Sequence, residues 1–166
     1  MKANELMIGD WVNIYVFPNE SPKEKDLFPA IITTIMTPLP NEQGGEHIEC
    51  IFKSKDGGIG CATRPVNTCL PIPITPEILE KNGFKFDGSG QCSMMFLSKP
   101  QFAEGLRFNI YVGLKRKTIE VFAAHPIEKS PNWRKSNKVY LEVCGCYVHE
   151  LQHALRLCGI EKEIEL

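Results

Sequence analysis

The strongest regularity along the chain is a two-residue alternation of apolar and polar side chains, interrupted at short intervals by Pro, Gly and polar residues. Before residue 73 it marks β-type runs at Trp11 to Val16, Ala30 to Met36, His47 to Lys53 and Gly60 to Leu70. Polar, Pro- or Gly-bearing segments separate them, and Lys55-Asp56-Gly57-Gly58 is a hairpin signal. Four or five short strands in about 70 residues predict a small, strongly bent barrel of SH3-like kind. The pattern returns in Phe84 to Phe86, Ser93 to Leu97, Leu106 to Leu114, Thr118 to Ala124 and Val139 to Val143. There Arg107, Asn109 and Tyr111 alternate with Phe108, Ile110 and Val112, the period of a strand with one buried face.

Two helices break this pattern. Closely spaced prolines in Pro71-Ile72-Pro73-Ile74-Thr75-Pro76 impose an extended path that ends in a helix start. Thr75 is a suitable N-cap, Pro76 fits the first helical position, Glu77 complements the dipole, and Asn82-Gly83 supplies a left-handed stop, so the helix spans about Pro76 to Lys81. A terminal helix runs from about Tyr147 to Cys158 with Gly159 at the stop, and Glu161, Glu163 and Glu165 read as a tail beyond it. The expected class is α+β: an SH3-like small β-barrel over 1–73, then over 74–166 a mainly antiparallel sheet with a short helix and a C-terminal helix.

Composition narrows the function classes without naming one. In 166 residues, 43% hydrophobic and 23% charged content are ordinary globular values, which excludes disordered and collagen-like chains. A net charge of -1 provides no global attraction to nucleic acid or to an acidic membrane. Met1-Lys2-Ala3-Asn4-Glu5 leads into no apolar signal core, and no run of about 18 apolar residues follows anywhere, so a cytoplasmic protein without a membrane partner is expected. The seven cysteines lack a repeated Cys-x-x-Cys spacing and read as free thiols, Cys144-Gly145-Cys146 included.

Three blocks carry a resemblance. They are Met1-Lys2-Ala3-Asn4-Glu5-Leu6-Met7-Ile8-Gly9-Asp10-Trp11-Val12, then Pro71-Ile72-Pro73-Ile74-Thr75-Pro76-Glu77-Ile78-Leu79-Glu80-Lys81-Asn82-Gly83-Phe84, and Tyr147-Val148-His149-Glu150-Leu151-Gln152. In that order they resemble a family of small uncharacterised proteins of gut bacteroidete bacteria and their phages or mobile elements. The resemblance implies no activity, cofactor or site residue. It does imply that Asn commonly stands where this chain has His153.

Two stretches offer chemistry. His149-Glu150-Leu151-Gln152-His153 matches the His-Glu-x-x-His pattern of zinc hydrolases, in which two imidazoles a helical turn apart hold Zn²⁺ and Glu150 would be general base toward a bound water. On a helical wheel Val148, Leu151, Leu155 and Cys158 form one stripe, and His149 and His153 lie nearly opposite it, facing outward. A third ligand would have to arrive from upstream, His125 or His47, because the longer His-x-x-Gly-x-x-His continuation fails at Arg156 and Gly159. The second stretch, Gly105 to Tyr140, holds eight cations against Glu120 and Glu128, concentrated at Lys115, Arg116 and Lys117 and, beside Trp133, at Arg134 and Lys135. Such loops neutralise phosphates while an aromatic ring stacks on a base. Weaker signals are an aromatic peptide groove from Trp11, Tyr15, Phe17 and Phe28, and the Gly-rich Lys55 to Gly60, which lacks the Gly-Lys-Ser/Thr ending of a phosphate loop.

Sequence spacing assigns no Ser/His/Asp or Cys/His nucleophile arrangement, since it does not bring a cysteine near His47 or His125. The expectation is a non-enzymatic accessory or adaptor module of phage or mobile-element type that binds protein or nucleic acid, with no cofactor. The alternative is a zinc-dependent hydrolase built on His149, Glu150 and His153.

Overall fold

The computed structural model describes residues 1–16, 27–38, 45–86, 91–97, 107–124 and 139–166. Two compact units divide the chain, Met1–Ile72 and Pro73–Leu166. Each is built on a five-stranded antiparallel sheet, and two helices occur among the described residues. Neither is long and apolar enough to cross a membrane.

In the first unit the strands are β1 (Trp11–Tyr15), β2 (Leu27–Met36), β3 (His47–Lys53), β4 (Ile59–Pro65) and β5 (Leu70–Pro71), ordered β4-β3-β2-β1-β5. The expected SH3-like barrel is therefore not formed: no sheet closes among the described residues. The physical reason is at the edges. Strands β4 and β5 lie on opposite sides of the sheet, and β5 has two residues, one of them Pro71, which has no N–H to donate. The run expected over Gly60 to Leu70 also breaks, because Val66–Thr68 forms a 3₁₀ turn that buries Val66.

Alternation sets the core of this unit. Val12 and Ile14 from β1, Ala30 and Ile32 from β2, and Ile48 and Cys50 from β3 are almost fully buried on one face. The entry to β1 is a tight turn, in which Asp10 N–H donates to Met7 O at 3.1 Å and Asp10 Oδ2 accepts from Met7 N–H at 2.7 Å. Asp10 is fully buried because its groups are spent on this turn and on Ile32, whose N–H donates to Asp10 O at 3.0 Å.

The second unit orders its strands β10-β9-β8-β7-β6, with β6 (Lys85–Phe86), β7 (Gln91–Leu97), β8 (Arg107–Gly113), β9 (Thr118–Ala124) and β10 (Val139–Cys144). Phe108, Ile110 and Val112 of β8 and Ile119 and Val121 of β9 are buried, as their alternation predicts. Helix α1 (Pro76–Lys81) has its predicted bounds, and Thr75 Oγ1 accepts from Ile78 N–H at 3.4 Å. Helix α2 (Val148–Leu157) packs against β9 and β10.

Both helices stop in the same way. Gly83 (φ 82°) and Gly159 (φ 66°) take the left-handed conformation, and the next residue donates back to the helix: Phe84 N–H to Leu79 O and Ile160 N–H to Leu155 O, each at 2.9 Å. The segment past α2 is packed rather than a loose tail. Ile164 is buried, and the buried Asn82 amide accepts from Glu165 N–H at 3.0 Å and donates to Glu165 O and Ile78 O at 2.8 Å.

Candidate functional site

The His-Glu-x-x-His residues occupy the first two turns of α2, and the local sequence explains each of them. Tyr147 is the N-cap in extended conformation but contributes no side-chain cap. Glu150, at the third helical position, supplies the capping instead: its Oε2 accepts from Tyr147 N–H at 3.0 Å. The carboxylate lies so close over Gly145 that a Cβ there would collide with it. A hydrolytic base must face a metal-bound water. Glu150 faces the start of its own helix.

Of the two histidines expected to face outward, His153 is half-buried and His149 is buried. The stripe of Val148, Leu151, Leu155 and Cys158 is buried as the wheel predicts, but His149 and Gln152 are buried with it, at 6% and 5% exposure. The first turns of α2 are covered on more than one side, whereas Arg156 and Leu157 near its end are exposed. A wheel ranks faces but cannot tell how deeply a helix start is embedded. The His149 ring stacks on Tyr147 (5.9 Å between centroids, 11° between planes) and meets His153 edge-on at 5.9 Å. Its Nδ1 is buried without a hydrogen bond from a described atom. No group of three or more His, Cys, Asp or Glu side chains fit to hold a metal exists among the described residues. Of the upstream ligands considered, His47 belongs to the first unit, where its Nδ1 lies 2.6 Å from Gly45 O, and His125 falls outside the described residues.

The basic stretch is only partly described. Lys115, Arg116 and Lys117 are exposed at the tip of the β8–β9 hairpin. Lys117 adopts φ 54°, uncommon for a residue with a side chain, and its carbonyl accepts from Gly145 N–H at 2.8 Å. Trp133, Arg134 and Lys135 lie outside the described residues. The fold thus joins two features that the sequence keeps about thirty residues apart: the cationic hairpin tip is pinned to the segment that starts α2. Next to Gly145 in that segment is Cys146, whose thiol is pushed up by burial and by the Glu150 carboxylate, with Lys117 opposing.

The Gly-rich turn and Phe28 serve the fold. Ser54 N–H donates to Gly58 O at 2.8 Å, closing the β3–β4 hairpin, and the Ser54 hydroxyl holds the Asp56 carboxyl below its usual range. Of the aromatic set, Phe28 packs against the core and meets Phe52 edge-on at 5.8 Å, while Phe17 lies outside the described residues. Tyr15 lines an open cavity of about 500 Å³ together with Arg64, Asn67 and Leu70. Arg64, which no sequence signal singled out, donates at 2.7 Å to the carbonyls of Tyr15, Val16 and Thr63, so its guanidinium serves the fold. Compared with protein-family models, curated proteins and solved structures, the chain matches none of them.

Proposed function

We propose that the chain is a non-enzymatic accessory or adaptor module of phage or mobile-element type, acting in the cytoplasm through surface contacts with nucleic acid or protein. The observation that carries this reading is the position of Glu150. The one acid of the motif is bonded to the backbone of Tyr147, and this bond explains its presence without a metal. The setting comes from the resemblance of the three blocks, whose described residues build a turn, a capped helix and a second capped helix.

In this reading the contact surface is the β8–β9 tip. Lys115, Arg116 and Lys117 project from a hairpin whose last turn residue is anchored by Gly145, so three cations are presented on a fixed base. Each phosphate neutralised on duplex DNA releases about 0.9 of a counterion, which makes retention salt-dependent. The test is retention of tag-free protein on immobilised DNA and RNA across a salt series, against Lys115→Glu, Arg116→Glu, Lys117→Glu. Retention that falls with salt, with a shallower slope in the variant, supports the nucleic-acid contact; no retention leaves a protein partner. Stoichiometric zinc in tag-free protein, lost in His153→Ala, would overturn the non-enzymatic reading in favour of a zinc hydrolase using His149, Glu150 and His153.

A further inference from the structure

A β-sheet edge exposes a row of unpaired N–H and C=O groups, and proteins normally blunt it by shortening, bulging, charging or covering it. Among the described residues the two sheets present four edges: β4, β5, β6 and β10. Strands β5 and β6 have two residues each, and β10 is interrupted by an irregularity between Val139 and Leu141. Strand β4 is neither short nor bulged. It runs seven residues in unbroken register with β3, its one charged side chain, Arg64, is spent on the carbonyls of Tyr15, Val16 and Thr63, and proline stands only at its last position, Pro65.

The hydrogen-bond phase shows which groups face out. Ser54 N–H donates to Gly58 O and Val66 N–H to Glu46 O, so the even-numbered residues of β4 bond to β3. Ile59, Cys61 and Thr63 therefore aim their backbone groups away from the sheet. The Thr63 carbonyl accepts from Arg64 and retains its second lone pair. Ile59 is 81% exposed and Cys61 is exposed.

We propose that β4 is a strand-addition edge and that its occupant is a second copy of this chain, paired antiparallel about a two-fold axis at Cys61. This register sets Cys61 against Cys61 of the second copy and Ile59 against Thr63 of the second copy, using every outward-facing residue of Ile59 to Thr63. Centring the axis on residue 60 or 62 leaves one of them unmatched or set against the N–H-less Pro65.

Charge selects the same register. On the face shared with β3, Lys53 is paired with Ile59 and Glu49 with Thr63. The Cys61 axis continues each Lys53 row into Glu49 of the second copy. Axes at Ile59 or Thr63 would put two Lys53 or two Glu49 on one row. The central row, in which Trp11 neighbours Ile31, Ile31 neighbours Ile51 and Ile51 neighbours Cys61, continues across the axis as one apolar band. The two-fold thus joins two five-stranded sheets through a self-complementary edge.

The test uses the full chain, tag-free and reduced, in size-exclusion chromatography with light scattering up to a few hundred micromolar. The expected mass is twice 18.7 kDa. Paired Cα atoms about 5.5 Å apart bring the two Cys61 thiols within reach of a short bis-maleimide, so a covalent dimer forms that Cys61→Ser abolishes while its non-covalent dimer remains. Ile59→Lys with Thr63→Lys places like charges across each flanking pair and yields a monomer, with an unchanged circular dichroism spectrum showing that the fold persists. A wild-type monomer at every concentration, a dimer that survives the double-lysine change, or cross-linking through another cysteine would each overturn the proposal.

Discussion

Glu150→Ala distinguishes a helix cap from a catalytic base. The substitution removes the acceptor of the 3.0 Å bond from Tyr147 N–H and a negative charge at the positive end of a ten-residue helix. A bond to a charged group is worth about 1.5–3 kcal/mol and loss of a cap about 0.5–2 kcal/mol. This bond is exposed, which puts the expected loss near the low end, about 1.5 kcal/mol. For a unit of this size that lowers the melting temperature by about 6–12 °C, at roughly 4–8 °C per kcal/mol. Thermal and urea unfolding followed by circular dichroism measure it. Glu150→Gln keeps an acceptor but not the charge and should cost about half as much. Gly145→Ala collides with the carboxylate, so its penalty should shrink in the Glu150→Ala background, a coupling of order 1 kcal/mol. If Glu150→Ala stays within about 0.5 kcal/mol of wild type, the level of an inert surface change, the capping argument fails. A catalytic base would show that pattern together with a lost hydrolytic activity.

Three further outcomes follow from packing and titration. Asn82→Ala strips three hydrogen bonds from a buried amide and should cost about 2–3 kcal/mol; Asn82→Asp, which turns a carboxylate toward two carbonyls, should be no better, and a neutral result in denaturant melts would refute the assignment. Gly60→Ala drives a Cβ to 2.5 Å from the Phe52 ring, its cross-strand partner, and should destabilise the first unit by about 1–3 kcal/mol in the same assay. Burial pushes the Cys69 and Cys158 thiols up to about 11 from 9.0, so the folded state holds their protons more tightly than the unfolded one. Their stabilisation is complete below pH 9 and is lost as pH rises from 9 through 11; melts across that window should show a falling midpoint, less steep in Cys69→Ala and Cys158→Ala.

Local signals were legible where local physics decides. Thr75, Pro76 and Asn82-Gly83 gave α1 its bounds because a cap, a fixed φ and a left-handed stop act within a few residues. The alternation of Phe108, Ile110 and Val112 likewise gave β8 its buried face. Closure of the first sheet depends on where β5 lands relative to β4, which no local pattern specifies, so the barrel expectation failed. His149 was misplaced for a related reason: the stripe on α2 is readable, but what covers its first turn arrives from elsewhere in the fold. The motif match itself came from residue types alone, whereas the role of Glu150 depends on the direction its carboxylate takes.

The Asn82 clamp also fixes an order of events. Its partner, Glu165, is 83 positions further along the chain, and until that residue is available the buried amide has water in place of two of its three bonds. During synthesis the described strands of the first unit all emerge early, while in the second the Asn82 amide at the end of α1 meets its partner only when Glu165 emerges from the ribosome. The two halves should therefore mature at different times on the same nascent chain, the first during translation and the second at the end of its own stretch.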